Sequence, residues 1–500
     1  MTHTILLPIL VPLFLGCLLL FPLSVRLKRA LLTSGTGALF LIALALLRQS
    51  ASGELYYYAI GGWAQPFGIS LMLDRLSAIM LTATALLSMF SVIYANRGDD
   101  EIGRFFHPLF AFQLLGINGA FLTADIFNLF VFFEILLIAS FTLLLHGFGT
   151  ARVRSGTHYV LLNLIGSTFF LIALGVIYGT AGTLSMADLS IKVASATQSQ
   201  LLMYGAGGLL LVLVFGLKSA LLPLYFWLPR AYASSSAPVA ALFAIMTKVG
   251  IYAMLRVFTQ IYGSTSGPLQ DLIMRWLWPL ALLTVLFGAI GLLAARYLKL
   301  QLGYLVIISA GTLQATIAMG TEAAIRGALF YLLHSTFVTA GFFLVADMIS
   351  RERGEKRTEL IAGPPLRHPR TLGAFFLVAA MGIAGIPPLS GFFGKATIML
   401  AAATNTERLL LWSVLLISGL AAIIALSRAG TTLIWRTKGH PPTILPHGPG
   451  RIAATIALLA MSPALVIFAH PVLEFLGATA AQLLDVASYQ AVITHTGGTP

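Results

Sequence analysis

Apolar runs of about 20 residues, each long enough to cross a hydrocarbon core of about 30 Å, recur from one end of this chain to the other. In lipid a backbone has no water to bond, so a run of this length must close its hydrogen bonds internally, as a helix. The expected spans are 4–23, 30–48, 68–95, 107–124, 127–147, 156–180, 201–230, 237–260, 271–295, 299–320, 322–349, 372–402, 408–435 and 451–475, about fourteen on the length criterion. Hydrophobic residues make up 58% of the 500 positions and charged ones 9%, a balance that soluble domains do not reach. The chain reads as an all-α polytopic membrane protein. No soluble domain interrupts the spans: 350–370 is a charged connector, and the polar tail after Leu476 is expected to be mobile.

A net charge of +13 does not mark a nucleic-acid binder here, because the cations sit in alternate loops. Nineteen fall in the odd-numbered loops, among them Arg26, Arg97, Arg152, Arg230, Arg351 and Lys438. The even-numbered loops hold four, Arg48, Lys192, Arg275 and Arg408. This asymmetry puts the odd loops in the cytoplasm and both termini on the outer face of the membrane, with anionic lipid as the partner of the charge. No Lys or Arg precedes the first span, which carries Pro8 and Pro12 and reads as a retained helix. The single cysteine, Cys17, makes no disulfide or cysteine-based metal centre and reads as a small packing residue. No cofactor is expected: the GAGG at 205–208 lies within an apolar span and lacks the strand–turn–helix setting of a dinucleotide site.

Two lysines, Lys218 and Lys248, lie inside apolar runs, in GLKSALLPLYFWLPRAYASSSAPVAALFAIMTKVGIYAMLR. A charge at the bilayer centre costs about 2.5–3.5 kcal/mol on insertion scales, so lysines kept there mark function. Pro223 has no N–H and in a helix frees the carbonyl four residues earlier, at Ser219, beside Lys218. A second overlong span, 372–402, repeats the pattern: Lys395 follows the pair Pro387–Pro388 in GIAGIPPLSGFFGKATIML. Matched broken helices point to inverted repeats with the ion site at the break. The expected division is 1–95 (helices 1–3), 107–260 and 271–435 (two inverted five-helix repeats, each with a broken helix), 451–475 (helix 14) and 476–500 (tail).

Glu134 has only apolar or aromatic neighbours from Leu129 to Leu137, so it faces the protein interior or water. A desolvated carboxylate needs a nearby cation to stay ionised, which makes Lys218 its natural partner. A movable Glu134 then decides whether Lys218 keeps its proton or passes it to Lys248 and on to Lys395, the groups titrating as a coupled set. His334, in FYLLHSTFVTAGFFLVAD, lies between the lysines in sequence and is the expected relay. His146 is a weaker candidate. Asp74, Asp125 and Asp347 lie near span ends and read as structural.

The Glu in FNLFVFFEILLIAS, the Lys in FGLKSALLPLYFWLPRAY, the Lys in APVAALFAIMTKVGIY, and GIPPLSGFFGK together resemble the signature of the antiporter-like family. That family joins the membrane-arm subunits of respiratory complex I with the large subunits of Mrp-type multisubunit cation/proton antiporters. The resemblance covers roughly 70–435, and FLTADIFNLFVFFEILLIAS is more similar to the D-type members of the Mrp group. It implies that Glu134 and Lys218 form a switchable pair, Lys248 the central relay and Lys395 the exit-side lysine. Several relatives place a lysine a few residues after the histidine of span 11; this chain has Thr339 and Ala340 there.

The function this implies is a proton-translocating subunit of a multisubunit Na+ or K+/proton antiporter, a transporter subunit and not an enzyme, working with other membrane subunits. Two alternatives stand beside it: a proton-pumping subunit of an NADH:quinone oxidoreductase or membrane-bound hydrogenase, and a subunit whose charges only hold an assembly together.

Overall fold

The computed structural model describes residues 2–63, 68–440 and 447–496. A short 3-10 turn leads into α1 (Leu7–Leu20) and α2 (Val25–Ser50), which pack on the rim of a helical bundle. A two-stranded antiparallel hairpin follows, β1 (Tyr56–Ala59) against β2 (Ser70–Leu73), with Tyr56 opposite Leu73. The span expected over 68–95 therefore begins as a strand. Its helix, α3 (Arg75–Ala95), starts only where Asp74 caps it: the Asp74 carboxylate accepts from the Ser77 backbone at 2.8 Å while the Ser77 hydroxyl accepts from Asp74 N at 2.9 Å. This reciprocal box satisfies amide donors that every helix start leaves open.

The chain continues through α4 (Phe106–Leu122), α5 (Ile126–Leu145), α6 (Thr150–Ala181), the short surface helix α7 (Met186–Ala194), α8 (Gln198–Lys218), α9 (Leu228–Ser234) and α10 (Ala237–Gln260). The second part holds α11 (Pro268–Ala294), α12 (Leu298–Ala318), α13 (Glu322–Glu352), α14 (Pro369–Ala384), α15 (Ser390–Leu400), α16 (Asn405–Gly430), α17 (Pro449–Ile467), α18 (Ala469–Leu484) and α19 (Val486–Thr496). Among the described residues twelve helices are long and apolar enough to cross a membrane. The other two expected spans, 107–124 and 372–402, fall on the shorter apolar helices Phe106–Leu122 and Pro369–Ala384.

Both expected breaks are present. The span 201–230 divides into α8 and α9, and 372–402 into α14 and α15. The first break comes sooner than a proline kink requires, because α8 stops at Lys218, ahead of Pro223. At the second, Gly385 takes the left-handed conformation (φ 83°) that ends α14 at no steric cost.

Three expectations are corrected. The tail is ordered over its described length: α18 runs through the boundary placed at 475–476, and α19 docks through Tyr489, whose hydroxyl lies 2.5 Å from Asp74 Oδ2. Residues 497–500 lie outside the described residues. Cys17 is exposed on α1, not packed. The Ser219 carbonyl is not left loose, as described below.

Every residue of α10 from Ala237 to Gln260 is buried, so this helix is the axis of the molecule. It packs against α3, α8, α12 and α13, and α13 in turn touches α14, α15, α17 and α18. Asp74 also receives two hydrogen bonds from the buried Arg256 of α10, at 2.5 and 2.8 Å, which ties the start of α3, the axis and the tail together. At this span end Asp74 thus bonds Ser77, Arg256 and Tyr489 at once.

Candidate functional site

Lys218 is the last residue of α8, and its Nζ is buried with no hydrogen-bond partner. The ammonium stands 5.6 Å from the centre of the Phe133 ring, a contact that gives back part of its lost hydration. Glu134, one residue further along α5, is half-buried and is the carboxylate whose charge acts on Lys218. The two do not form an ion pair: their charged atoms lie beyond the 4.0 Å of such a contact. Glu134 instead accepts a short hydrogen bond from the Ser167 hydroxyl of α6.

The carbonyl of Ser219, opened by the end of α8, is held by α12. Gln314 donates its side-chain amide to Ser219 O at 3.3 Å and to Ser219 Oγ at 2.6 Å. The axis reaches this point through Gly250: a Cβ there would lie 3.0 Å from Ser219 N, a tight contact that would push the break away by a few tenths of an ångström. Lys248 is two residues earlier on α10, wholly buried, and its Nζ donates to Ser309 Oγ of α12 at 3.3 Å. One helix, α12, thus touches the surroundings of both lysines.

Beyond Ser309 a small cavity of about 10 Å³ opens, room for the centre of one water. Its polar lining is Ser309, Tyr331, His334, Thr339, Lys395 and Ser418, with Ser335 beside them. It joins the hydroxyl that holds Lys248 to the histidine and to the third lysine. Thr339, in the stretch where relatives are expected to carry a lysine, is among these groups, so a hydroxyl serves that wall here.

His334 is buried on α13 and shares a 2.7 Å hydrogen bond between Nδ1 and Ser390 Oγ; Ser390 in turn lies 2.8 Å from Ser462 Oγ of α17. Lys395 and Lys248 are the two cations whose fields reach the ring. The Lys395 ammonium donates to the carbonyls of Ile383 at 3.3 Å and Ala384 at 2.9 Å. Those are end carbonyls of α14, left open by the break, and a helix C-terminus favours a cation. Lys395 also lines an apolar groove of about 490 Å³ with Phe392, Leu400, Trp412, Leu416 and Leu420, all exposed at the bundle surface.

Of the five site residues expected from sequence, Lys248, His334 and Lys395 are therefore brought to one polar connection. Glu134 and Lys218 sit at the other break, joined to it through Ser219, Gln314 and α12. His146 is elsewhere: its ring bonds the Asp99 carbonyl at 3.1 Å, in the loops. The sequence reading missed the hydroxyl and amide groups, Ser167, Ser309, Gln314, Ser390 and Ser462. Their only signal was polarity inside apolar spans.

At one end of the bundle the odd-loop cations gather. A polar cleft of about 830 Å³ is lined by Arg152, Arg230, Lys299, Arg351, Lys356 and Arg357 together with Asp99 and Asp347. Arg351 binds Asp99 at 2.7 Å and Asp347 at 2.6 Å, and Arg451 binds Asp99 at 3.0 Å. Nearby in sequence, Asp100 holds Arg29 at 2.7 Å and lies 3.2 Å from His107 Nε2. Burial alone would raise the Asp100 carboxyl, but His107 and Arg29 beside it hold it well below the usual carboxylate range.

The family model described as "NADH:quinone oxidoreductase/Mrp antiporter, TM" matches residues 123–422, more than half of the chain. The chain is 37% identical to a protein of Rhizobium meliloti (strain 1021) named as the D component of a probable K(+)/H(+) antiporter, over 99% of this chain and 97% of that one. It is 34% identical to the D component of the Na(+)/H(+) antiporter of Alkalihalophilus pseudofirmus, over 98% and 99%. Among solved structures it superposes on a chain of the Mrp complex from Dietzia sp. DQ12-45-1b with a TM-score of 0.88 at 26% identity, covering 100% of both chains. A chain of respiratory complex I from Thermus thermophilus gives 0.77 at 25% identity, over 96% and 99%. The chain belongs to the family that the NADH:quinone oxidoreductase and Mrp antiporter membrane subunits make up.

Proposed function

We propose that this chain is the proton-translocating subunit of a multisubunit monovalent cation/proton antiporter, with Na+ or K+ as the exchanged cation. Protons pass between Lys248 and Lys395 through Ser309, the water-sized cavity and His334. Glu134 and Lys218 load this path from the other break. The observation that carries the reading is the cavity itself, which places hydroxyls, an imidazole and an ammonium in one connected space inside an apolar bundle. Hydroxyls and water both give and accept hydrogen bonds, so a proton can enter on one side and leave on the other. In the arrangement seen, Glu134 is withdrawn onto Ser167, and Lys218 has no partner to fix its proton. Swinging Glu134 toward Lys218 would hold that proton, and swinging it back would release it.

The relatives named as D components of antiporters favour this reading, and they are named for K+ in one case and Na+ in the other. The structural neighbours come from multisubunit complexes, which supports partner membrane subunits. The gathering of odd-loop cations at one end supports a cytoplasmic position for that end in the inner membrane, with both termini outside. The two breaks support the division into repeats 107–260 and 271–435. The likeness to complex I supports the second reading, the same path driven by electron transfer in partner chains.

The test is reconstitution of the complete complex in liposomes, with Na+ and K+ gradients compared and internal pH as the readout. Exchange is expected, and Lys248→Ala should abolish it in a complex of normal abundance. Normal exchange by that variant removes Lys248 from the path. Full exchange by this chain alone would sink the multisubunit claim.

A further inference from the structure

We propose that Glu352, His368 and His447 form a binding site for a divalent transition-metal ion of the zinc class. Glu352 is the last residue of α13, and its side chain is fully buried. Its Oε2 accepts the backbone N–H of Arg367 at 2.7 Å and of His368 at 3.1 Å, so main-chain donors fix the carboxylate plane. Its Oε1 then faces His368 Nδ1 at 2.7 Å and His447 Nε2 at 2.9 Å. The three ligand atoms lie within 4.8 Å of one another.

Two imidazoles and one carboxylate oxygen are the donor set that suits zinc, and an open fourth position suits a site with three protein ligands. The His447 side chain is 5% exposed and that of His368 42%, so the triad is enclosed on one side and open on the other. Zinc–ligand bonds of about 2.0–2.2 Å in a tetrahedron place the ligand atoms about 3.3 Å apart, so the hydrogen-bonded separations need open only by about half an ångström. On binding, each imidazole gives the metal the lone pair of the nitrogen now facing Glu352 and carries its proton on the other nitrogen. The bonds from Arg367 and His368 to Oε2 remain and hold the carboxylate, the kind of outer support that metal ligands use. The cation next in sequence does not compete: Arg353 turns away to the carbonyls of Arg357, Glu359 and Ile361.

The placement of the site gives the ion something to do. His368 directly precedes α14, and His447 lies just ahead of α17. These three helices meet again at the relay: α13 carries His334, α14 ends in the carbonyls that hold Lys395, and α17 carries Ser462. An ion at the triad would staple them together at the cation-rich end.

The experiment titrates Zn2+ into the chelator-stripped, full-length chain in its purified complex, against a chromophoric zinc indicator. One ion per chain is expected, with affinity lowered about tenfold or more in His447→Gln and in Glu352→Gln. The His447→Gln side chain still offers an N–H to Glu352, so a cluster that serves only hydrogen bonding leaves the fold and the zinc titration unchanged. Equal titrations of wild type and His447→Gln overturn the proposal. Zinc-edge absorption of the wild type needs no variant: two imidazole nitrogens in the shell are expected, and an all-oxygen shell overturns it.

Discussion

Gln314 donates its side-chain amide to both the carbonyl and the hydroxyl of Ser219, the residue that follows Lys218. The end of α8 is thereby closed by a side chain from a neighbouring helix. Removing that donor strands a buried carbonyl, at about 1–3 kcal/mol. Gln314→Leu should lower stability by that order and slow exchange, whereas Gln314→Glu, whose carboxyl donates only when protonated, should be worse at high pH than at low. Thermal unfolding of the complex at two pH values checks both. Equal loss at both values would show that the amide's hydrogen does not matter.

Glu134 and Lys218 are electrostatic partners out of contact, and this separates packing from switching. Truncating one member of a contacting buried pair typically costs about 3–5 kcal/mol. With no direct contact here, Glu134→Ala should leave abundance near the wild-type level while exchange falls at least tenfold. Immunoblots beside pH-driven transport decide it. A collapse in abundance, rescued by an apolar Glu134/Lys218 double replacement that also restores transport, would mean a static pair.

Lys395→Arg keeps a positive charge for the Ile383 and Ala384 carbonyls but cannot give up its proton, since a guanidinium stays charged in proteins. The variant should assemble and be silent in transport. Activity within about twofold of wild type would make the charge, and not proton exchange, the role of Lys395.

Asp100 makes a pH prediction with a definite sign. Its pKa in the folded protein lies below the unfolded value of about 3.9, so its stabilisation is complete above that value and fades as pH falls toward the folded one. Asp100→Asn should therefore destabilise the protein at pH 7, by about 1.5–3 kcal/mol for the loss of charge-assisted bonds. The gap should narrow below about pH 4. A gap of the same size at pH 7 and pH 3 would contradict the ion-pair account.

The spans were legible because membrane helices must be long and apolar, and both breaks were legible because prolines 223, 387 and 388 interrupt such runs. Three lysines and a glutamate stood out for the same reason: a charge kept in lipid is costly and must be held there by something. The strand at Ser70–Leu73 was not legible, since a short apolar run reads equally as helix or strand. Nor was the docked tail, whose order depends on Tyr489 finding Asp74 and Arg256, partners more than two hundred residues away. The hydroxyls around the lysines and His334 were hidden for a third reason. A serine in a membrane helix can bond its own backbone, as Ser309 does to Val306, and nothing in the sequence tells which one also meets a lysine.

The groove beside Lys395 has a consequence for how the protein is handled. Lys248 is walled on every side by its own chain, and its surroundings travel with it through any extraction. Lys395 has Phe392, Leu400, Leu416 and Leu420 for neighbours, and these face outward. Part of its wall is supplied by whatever lies against that surface, whether acyl chains, an adjoining protein or detergent. The two amines therefore differ in what surrounds them after extraction: the setting of Lys395 changes with the amphiphile, and that of Lys248 does not.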